Sequence, residues 1–153
     1  MPRNRKSCPP VKNILFATPQ DAEAAFYDAI EKSDLDAMMA VWSDDDDIVC
    51  VHPGGARLSG IEQIRESWRR IFAGGQTLRL RVRHRQALNG MTLVVHNVYE
   101  QVSVAGETRP RNPVVATNIY LHTERGWRMV VHHASPAPAS PDAEAKRTQK
   151  TLH

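Results

Sequence analysis

The sequence predicts an α+β domain in which helices come first and a run of antiparallel strands follows. Three observations carry this. Apolar residues recur at helical spacing in the segments that begin at Thr18, Ser33 and Ser59. From Leu78 onward the period becomes two, with Leu78, Leu80 and Val82 alternating with Arg79, Arg81, Arg83 and Arg85. Asn89-Gly90 between two such runs is a strong hairpin turn. Helices followed by sequence-adjacent strands pack as one helical layer on a curved sheet.

Thr18-Pro19-Gln20-Asp21 reads as a helix start, with a Thr cap, Pro at the first helical position and an acid in the first turn. Ala22, Ala25, Phe26, Ala29 and Ile30 form its stripe. Ser33-Asp34 interrupts this stripe and caps a second short helix carrying Leu35, Met38, Met39 and Trp42. The acidic run Asp44–Asp47 ends that helix, and Ile48–His52 reads as a short strand stopped by Pro53-Gly54-Gly55. Ser59-Gly60 opens a third helix with Ile61, Ile64, Trp68, Ile71 and Phe72 on one face, and Gly74-Gly75 closes it. Beyond the arginine-bearing strand, further strands are expected at about 91–103, 114–123 and 127–134.

The chain has 153 residues, enough for one domain with its own core. The boundaries read as a flexible basic segment over 1–13, a folded domain over 14–135 and a flexible Pro/Ala-rich and basic tail over 136–153. The pI of about 9.1 suggests nucleic acid until the charge is located. Residues 14–135 carry 13 Lys/Arg against 15 Asp/Glu, whereas the two ends carry 7 against 2. The basicity belongs to the ends, which argues against a nucleic-acid-binding face. No apolar run approaches the roughly 20 residues of a membrane span, and the stretch after the basic start is too short for a secretion signal. Two cysteines, Cys8 and Cys50, in unrelated contexts fit a reduced, cytoplasmic protein.

The strand over 91–102 is apolar on both sides. Leu93, Val95 and Tyr99 point one way while Val94, Val98 and Val102 point the other. One face can pack on the helices; the other is expected to meet a second subunit, giving a homodimer through the sheet. A C-terminal tail folded back over that face is the alternative.

These segments resemble the nuclear transport factor 2-like superfamily. Asp34-Leu35-Asp36 followed by Trp42-Ser43-Asp44-Asp45 is similar to its D-L-D…F-x-D-D pattern, and Ser59-Gly60-Ile61-Glu62-Gln63-Ile64-Arg65-Glu66 to its G-x-x-x-I-R-E helix start. His52-Pro53-Gly54-Gly55 falls where these proteins often carry an acid-Pro-x-Gly turn. Gly126–Val130 and His132–Ser135 resemble the last strand of the SnoaL-like branch. The resemblance spans roughly residues 18–135 and implies a cone-shaped, cystatin-like sheet wrapped around N-terminal helices that enclose a small-molecule pocket. Aligned on these motifs, the base position of the ketosteroid isomerase branch falls on His52, its tyrosine donor on Phe26, with Tyr27 beside it on a different helix face, and its acid donor on Asn118. None of those three catalytic residue types is retained, which disfavours steroid isomerisation.

The candidate catalytic residues are therefore His52, whose imidazole suits proton transfer near neutral pH, and Asn118, which can polarise a carbonyl. Against these stand a turn-ordering histidine and a structural amide bond. Phe26, Trp42, Trp68, His96, Tyr120 and His132 are the candidate pocket lining, the tryptophans flanking it near two helix ends, though tryptophans at such spacing often serve as core. His132 and His133 are adjacent on a strand and must face opposite ways. No metal-ligand spacing, nucleotide loop or serine-hydrolase elbow is present, so neither a metal nor a cofactor is expected. Arg79, Arg81, Arg83 and Arg85 read as one solvated face, Asp44–Asp47 as solvated acids, and Cys50 as a buried, inert thiol. Two functions remain open. One is binding of a small oxygen-bearing organic ligand, with or without a cofactor-free proton transfer of isomerase, lyase or cyclase type. The other is a protein-interaction or dimerisation module without catalysis.

Overall fold

The computed structural model describes residues 14–138, apart from the His84 side chain; the basic segment 1–13 with Cys8, and residues 139–153 of the expected tail, lie outside the described residues. Helix α1 (Pro19–Lys32) starts where expected, with the Thr18 hydroxyl accepting the Asp21 N–H at 3.0 Å. It stops at Ser33, which takes left-handed backbone at φ 50° and returns its N–H to the α1 carbonyls. Asp34 then caps α2 (Leu35–Val41) by accepting the Ala37 N–H at 3.0 Å. After β1 (Val49–Val51) the chain makes β2 (Arg57–Ser59), a three-residue strand too short for any period to announce. Helix α3 (Ile61–Ala73) has glycine at its cap and no side-chain cap; instead Gln63 reaches back to accept the Ser59 N–H at 3.1 Å.

Four long strands follow: β3 (Leu78–Asn89), β4 (Leu93–Val104), β5 (Val114–Thr123) and β6 (Gly126–Pro136). The sheet order is β2-β1-β6-β5-β4-β3. Every pairing is antiparallel except β1 with β6, so the sheet is mixed rather than wholly antiparallel. Strands joined by hairpins must run antiparallel; β1 reaches β6 only after the rest of the chain has intervened, so nothing imposes that direction.

One face of the sheet carries the core. Val98, Ala116, Tyr120, Met129, Ala134 and Cys50 meet Phe26, Tyr27, Ile30 and Ala22 of α1, with Trp42 and Trp68 alongside. The other face holds Val95, Tyr99, Val115, Ile119, Leu121 and Val131, all half-buried, as the two-sided apolar pattern of β4 requires. Arg128 ties the layers together: its buried guanidinium donates to the carbonyls of Ala40, Ile14 and Arg125. At the turn into β6, Gly126 stands at φ 81° against Phe16, where an added Cβ would lie 2.6 Å from the Phe16 oxygen. That position requires glycine on two grounds, backbone and space.

Two expectations are corrected. Arg79, Arg81 and Arg83 share the exposed outer side of β3, but a bulge between Arg83 and Gln86 shifts the register by one residue and turns Arg85 to the inner side. Tyr27, expected on a different helix face from Phe26, is buried with it, because the core-facing stripe of α1 is wide enough to include both.

Candidate functional site

The inner face carries a row of polar residues that crosses the sheet. His96 on β4, Asn118 on β5, His132 on β6 and Cys50 on β1 are successive register partners. All four are essentially fully buried. Buried polar groups need partners, and two hydrogen-bonded chains supply them.

The first chain runs through Asn118. Tyr27 donates its hydroxyl to the Glu100 carboxylate at 2.7 Å, the Asn118 amide donates to the Tyr27 oxygen at 2.9 Å, and His132 Nδ1 lies 2.6 Å from the Asn118 carbonyl oxygen. Each link can be read in one direction: imidazole N–H to amide oxygen, amide N–H to phenol oxygen, phenol O–H to carboxylate. Asn118 is thereby gripped at both ends. Burial holds the His132 imidazole down to about 3, with His52 and His133 adding to it, so the ring stays neutral. Burial pushes the Glu100 carboxyl the other way, up to about 7. It also raises the Tyr27 phenol, which stays protonated and able to donate.

The second chain centres on Glu23. Its carboxylate takes His96 Nδ1 at 2.6 Å and the Tyr120 hydroxyl at 3.3 Å, and Arg85, delivered by the β3 bulge, approaches within 2.5 Å. In the neutral ring, Nδ1 donating to Glu23 makes the other nitrogen, Nε2, the acceptor. Among the described residues that nitrogen has no partner, and neither do the indole N–H groups of Trp42 and Trp68.

Aromatic rings close over this row. Phe26 lies at the hub, with ring centroids 4.9 Å from His132, 5.0 Å from Tyr27, 5.6 Å from Trp68 and 6.5 Å from Trp42. Trp42 does end its helix, bridging to Met129, whereas Trp68 sits within α3 rather than at its end.

His52 stands apart from both chains. It follows β1 on the same side as Cys50 and lies beside α3, where its Nε2 is 2.6 Å from the Ser67 hydroxyl and 3.8 Å from the Cys50 sulfur. Trp68 meets its ring edge-to-face at 4.8 Å. Burial lowers its pKa, favouring the neutral ring. His52 and Ser67 line a groove of about 660 Å³ between α3 and β2, with Leu58, Glu62, Gln63, Glu66, Arg70 and Ile71. Of the predicted site residues, the fold thus brings His96, Asn118, Tyr120, His132, Phe26, Trp42 and Trp68 together, while His52 touches that cluster through Trp68 but opens onto the groove between α3 and β2.

Glu23, Tyr27, Arg85 and Glu100 escaped sequence reasoning. Two of them left a signal: Glu23 interrupts the apolar stripe of α1, and Glu100 shares the parity of Val94 and Val98 on β4. Arg85 could not be found without the bulge. Burial lifts the Cys50 thiol to about 12, in keeping with an inert sulfhydryl. Asp44 and Asp45 are exposed, the first paired with Arg125 at 2.9 Å and the second accepting from the Ser43 hydroxyl. Among the described residues, no three His, Cys, Asp or Glu side chains converge as metal ligands would, and no helix is long and apolar enough to cross a membrane.

A family model described as a SnoaL-like domain matches residues 20–140. A Thiobacillus denitrificans structure assigned as a calcium/calmodulin-dependent protein kinase type II association domain is 40% identical, covers 81% of this chain and 98% of its own, and superposes with a TM-score of 0.73. A Streptomyces avermitilis structure assigned as a dehydratase of the NTF2-like family is 28% identical, covers 76% of this chain and 91% of its own, with a TM-score of 0.69. The F-box protein SKIP8 of Arabidopsis thaliana is 29% identical over 112 residues, or 72% of this chain. The chain spans about half the length of that relative, 46%.

Proposed function

The chain belongs to the SnoaL-like domain family, and from that premise we propose that it binds a small, oxygen-bearing organic molecule against the inner face of its sheet and moves a proton there without a cofactor. The observation that carries this is His96 Nε2, a basic nitrogen fully buried and unpartnered among the described residues, on a ring whose other nitrogen is fixed by Glu23. A protein gains nothing in stability from burying such a group, since an unsatisfied buried acceptor costs about 1–3 kcal/mol. A ligand hydroxyl or an acidic C–H beside a carbonyl would satisfy it. Phe26, Trp42, Trp68 and Tyr120 provide apolar walls, and the Trp42 and Trp68 indoles offer two further unpartnered donors. His96 takes the proton, Glu23 stabilises the imidazolium that forms, and the Glu100–Tyr27–Asn118–His132 chain holds the facing polar edge in place. Dehydration, the activity in the description of the Streptomyces avermitilis relative, is a reaction of this proton-moving kind.

The experiment is native mass spectrometry of the purified full chain, followed by denaturation and analysis of what is released. One organic molecule per subunit, lost in His96→Phe, is the expected result. A chain that carries nothing and shows no His96-dependent binding across an oxygenated small-molecule library overturns the reading.

A second reading is favoured by the outer face of the sheet. Val95, Val115, Ile119, Leu121 and Val131 are half-buried there and Leu93 is 45% exposed, an apolar surface suited to a second copy of the chain. The relative assigned as an association domain points the same way. A homodimer through this face is compatible with a ligand on the other. The same mass spectra report it, and a monomer at micromolar concentration removes it. Cytoplasmic residence belongs to the proposal too, resting on the free, buried Cys50.

A further inference from the structure

We propose that Ser67 is a nucleophile activated by His52, and that the groove between α3 and β2 is a second reactive site, one that takes small uncharged carboxylic esters. The site lies outside the hydrogen-bonded chains of the inner face and does not depend on a ligand being bound there.

Three parts of an acyl-transfer site meet in this groove. The nucleophile is the Ser67 hydroxyl, on the side of α3 that lines the groove, 2.6 Å from His52 Nε2. At that distance a neutral imidazole accepts the serine proton directly. Burial keeps His52 in that neutral form. The Trp68 ring, edge-to-face at 4.8 Å, fixes the plane of the imidazole as an orienting group must. Cys50 also faces Nε2, at 3.8 Å, but its thiol is held protonated by burial, so the serine is the group that reacts.

The third part is a donor for the oxyanion. Gln63 lies one helical turn before Ser67 and lines the same groove. Its amide oxygen is occupied by the Ser59 N–H at 3.1 Å, which fixes the side chain and leaves both amide N–H groups to donate. Leu58 and Ile71 supply apolar wall for the acyl chain; with Arg70 already paired to Glu66 at 2.9 Å, Glu62 leaves the groove a net acid that disfavours a carboxylate-bearing substrate.

The step balances as follows. Ser67 Oγ attacks the ester carbonyl carbon as its proton passes to His52 Nε2, and the carbonyl oxygen takes the negative charge beside Gln63. The carbon–oxygen bond to the alcohol then breaks, and the alcohol leaves with the proton from His52. Water, deprotonated by His52, attacks the acyl-serine and releases the carboxylic acid and free Ser67.

The test is a fluorophosphonate probe on the folded full chain, with the labelled residue located by peptide mass spectrometry. Ser67 Oγ displaces fluoride at phosphorus, forming a stable Ser67 phosphonate. Expected are stoichiometric label on Ser67, none in Ser67→Ala, a rate roughly 10²-fold lower in His52→Gln, and a loss of rate as pH falls and the imidazole protonates. Gln63→Glu, which keeps an oxygen to accept the Ser59 N–H but removes both amide donors, should slow labelling while leaving the melting temperature close to the parent's, which separates a donor role from a folding one. Absence of label on Ser67, label at the rate of unfolded chain in urea, or equal rates in parent and His52→Gln would each overturn the proposal. None of these outcomes depends on His96 or on a ligand of the inner face.

Discussion

Replacing Glu100 by glutamine perturbs the buried network in a way whose sign depends on pH. Burial pushes the Glu100 carboxyl from its ordinary 4.5 up to about 7; the Tyr27 hydrogen bond opposes the rise and the nearby Glu23 adds to it. Between those values the folded state binds the proton more tightly than the unfolded chain. Stability therefore falls as pH rises through that window, by up to about 1.4 kcal/mol per unit and about 3 kcal/mol in all. His132 acts oppositely. Its imidazole is lowered from 6.5 to about 3, so its contribution is complete above 6.5 and is lost as pH falls toward 3. The two slopes offset each other between about pH 4.5 and 6.5, where the parent should hold a plateau before falling at lower pH. Glu100→Gln removes only the first slope. The variant should begin to lose stability below about pH 6.5, and near pH 8 it should exceed the parent by up to about 3 kcal/mol, less about 1–2 kcal/mol for the new amide N–H groups left without acceptors. Urea midpoints of both proteins, taken from about pH 4 to pH 8, give the difference directly, because exposed carboxylates contribute equally to both. Parallel curves would refute the assignment of Glu100 as a buried, late-titrating acid.

Tyr27→Phe removes the hydroxyl that joins Asn118 to Glu100 and should cost about 2–4 kcal/mol in urea unfolding, one unmet partner at each end; a cost below about 0.5 kcal/mol would mean the chain is not intact in solution. Gly126→Ala meets both a φ of 81° and a Cβ position 2.6 Å from the Phe16 oxygen, so thermal melting should show a loss of about 2 kcal/mol or more, and an unchanged melting temperature would exclude that close approach. Asp34→Ala deletes the α2 cap and should cost about 1 kcal/mol, read by circular dichroism melting, with Asp34→Asn recovering most of it. Phe26→Ala empties the hub of the aromatic cluster and should cost about 3–5 kcal/mol; a much smaller loss would indicate that the rings around it can collapse inward.

The elements were legible because local chemistry and burial agree in them. Thr18-Pro19 and Ser33-Asp34 carry their caps in their own side chains, and the β4 alternation places Val94 and Val98 inward and Val95 and Tyr99 outward without reference to any other strand. Strand β2 was not legible, since three residues hold no period, and its place comes from pairing with β1. The parallel β1–β6 pair was hidden for a similar reason: direction between strands far apart in sequence is set by the whole path of the chain. In the site, the residues found were those whose type is unusual for a strand, His96, Asn118 and His132. Those missed were their partners. Glu23 and Glu100 read as ordinary surface acids until their position in the apolar pattern is weighed, and Arg85 reads as a fourth member of a solvated stripe until the bulge is known.

That bulge bears on why the inner face can hold so many polar groups at all. Two carboxylates, Glu23 and Glu100, lie close enough for Glu23 to raise Glu100, and two buried like charges on one face would be strongly destabilising. The fold answers with two unlike solutions. Glu100 is given a neutral donor, Tyr27, and a raised pKa, so that its charge is only partly present near neutrality. Glu23 is given a permanent cation, and only the one-residue shift in β3 brings Arg85 round to supply it. With Arg85 facing Glu23, the bond from His96 Nδ1 to Glu23 sets the tautomer of the neutral ring and leaves Nε2 as the acceptor. The backbone irregularity thus bears on the tautomer of a histidine on the neighbouring strand. Arg85→Met, which keeps the length and removes the charge, should shift the His96 ring nitrogens in ¹⁵N spectra toward mixed tautomers. A spectrum identical to the parent's would show that Glu23 does not need Arg85 to hold the proton where it is.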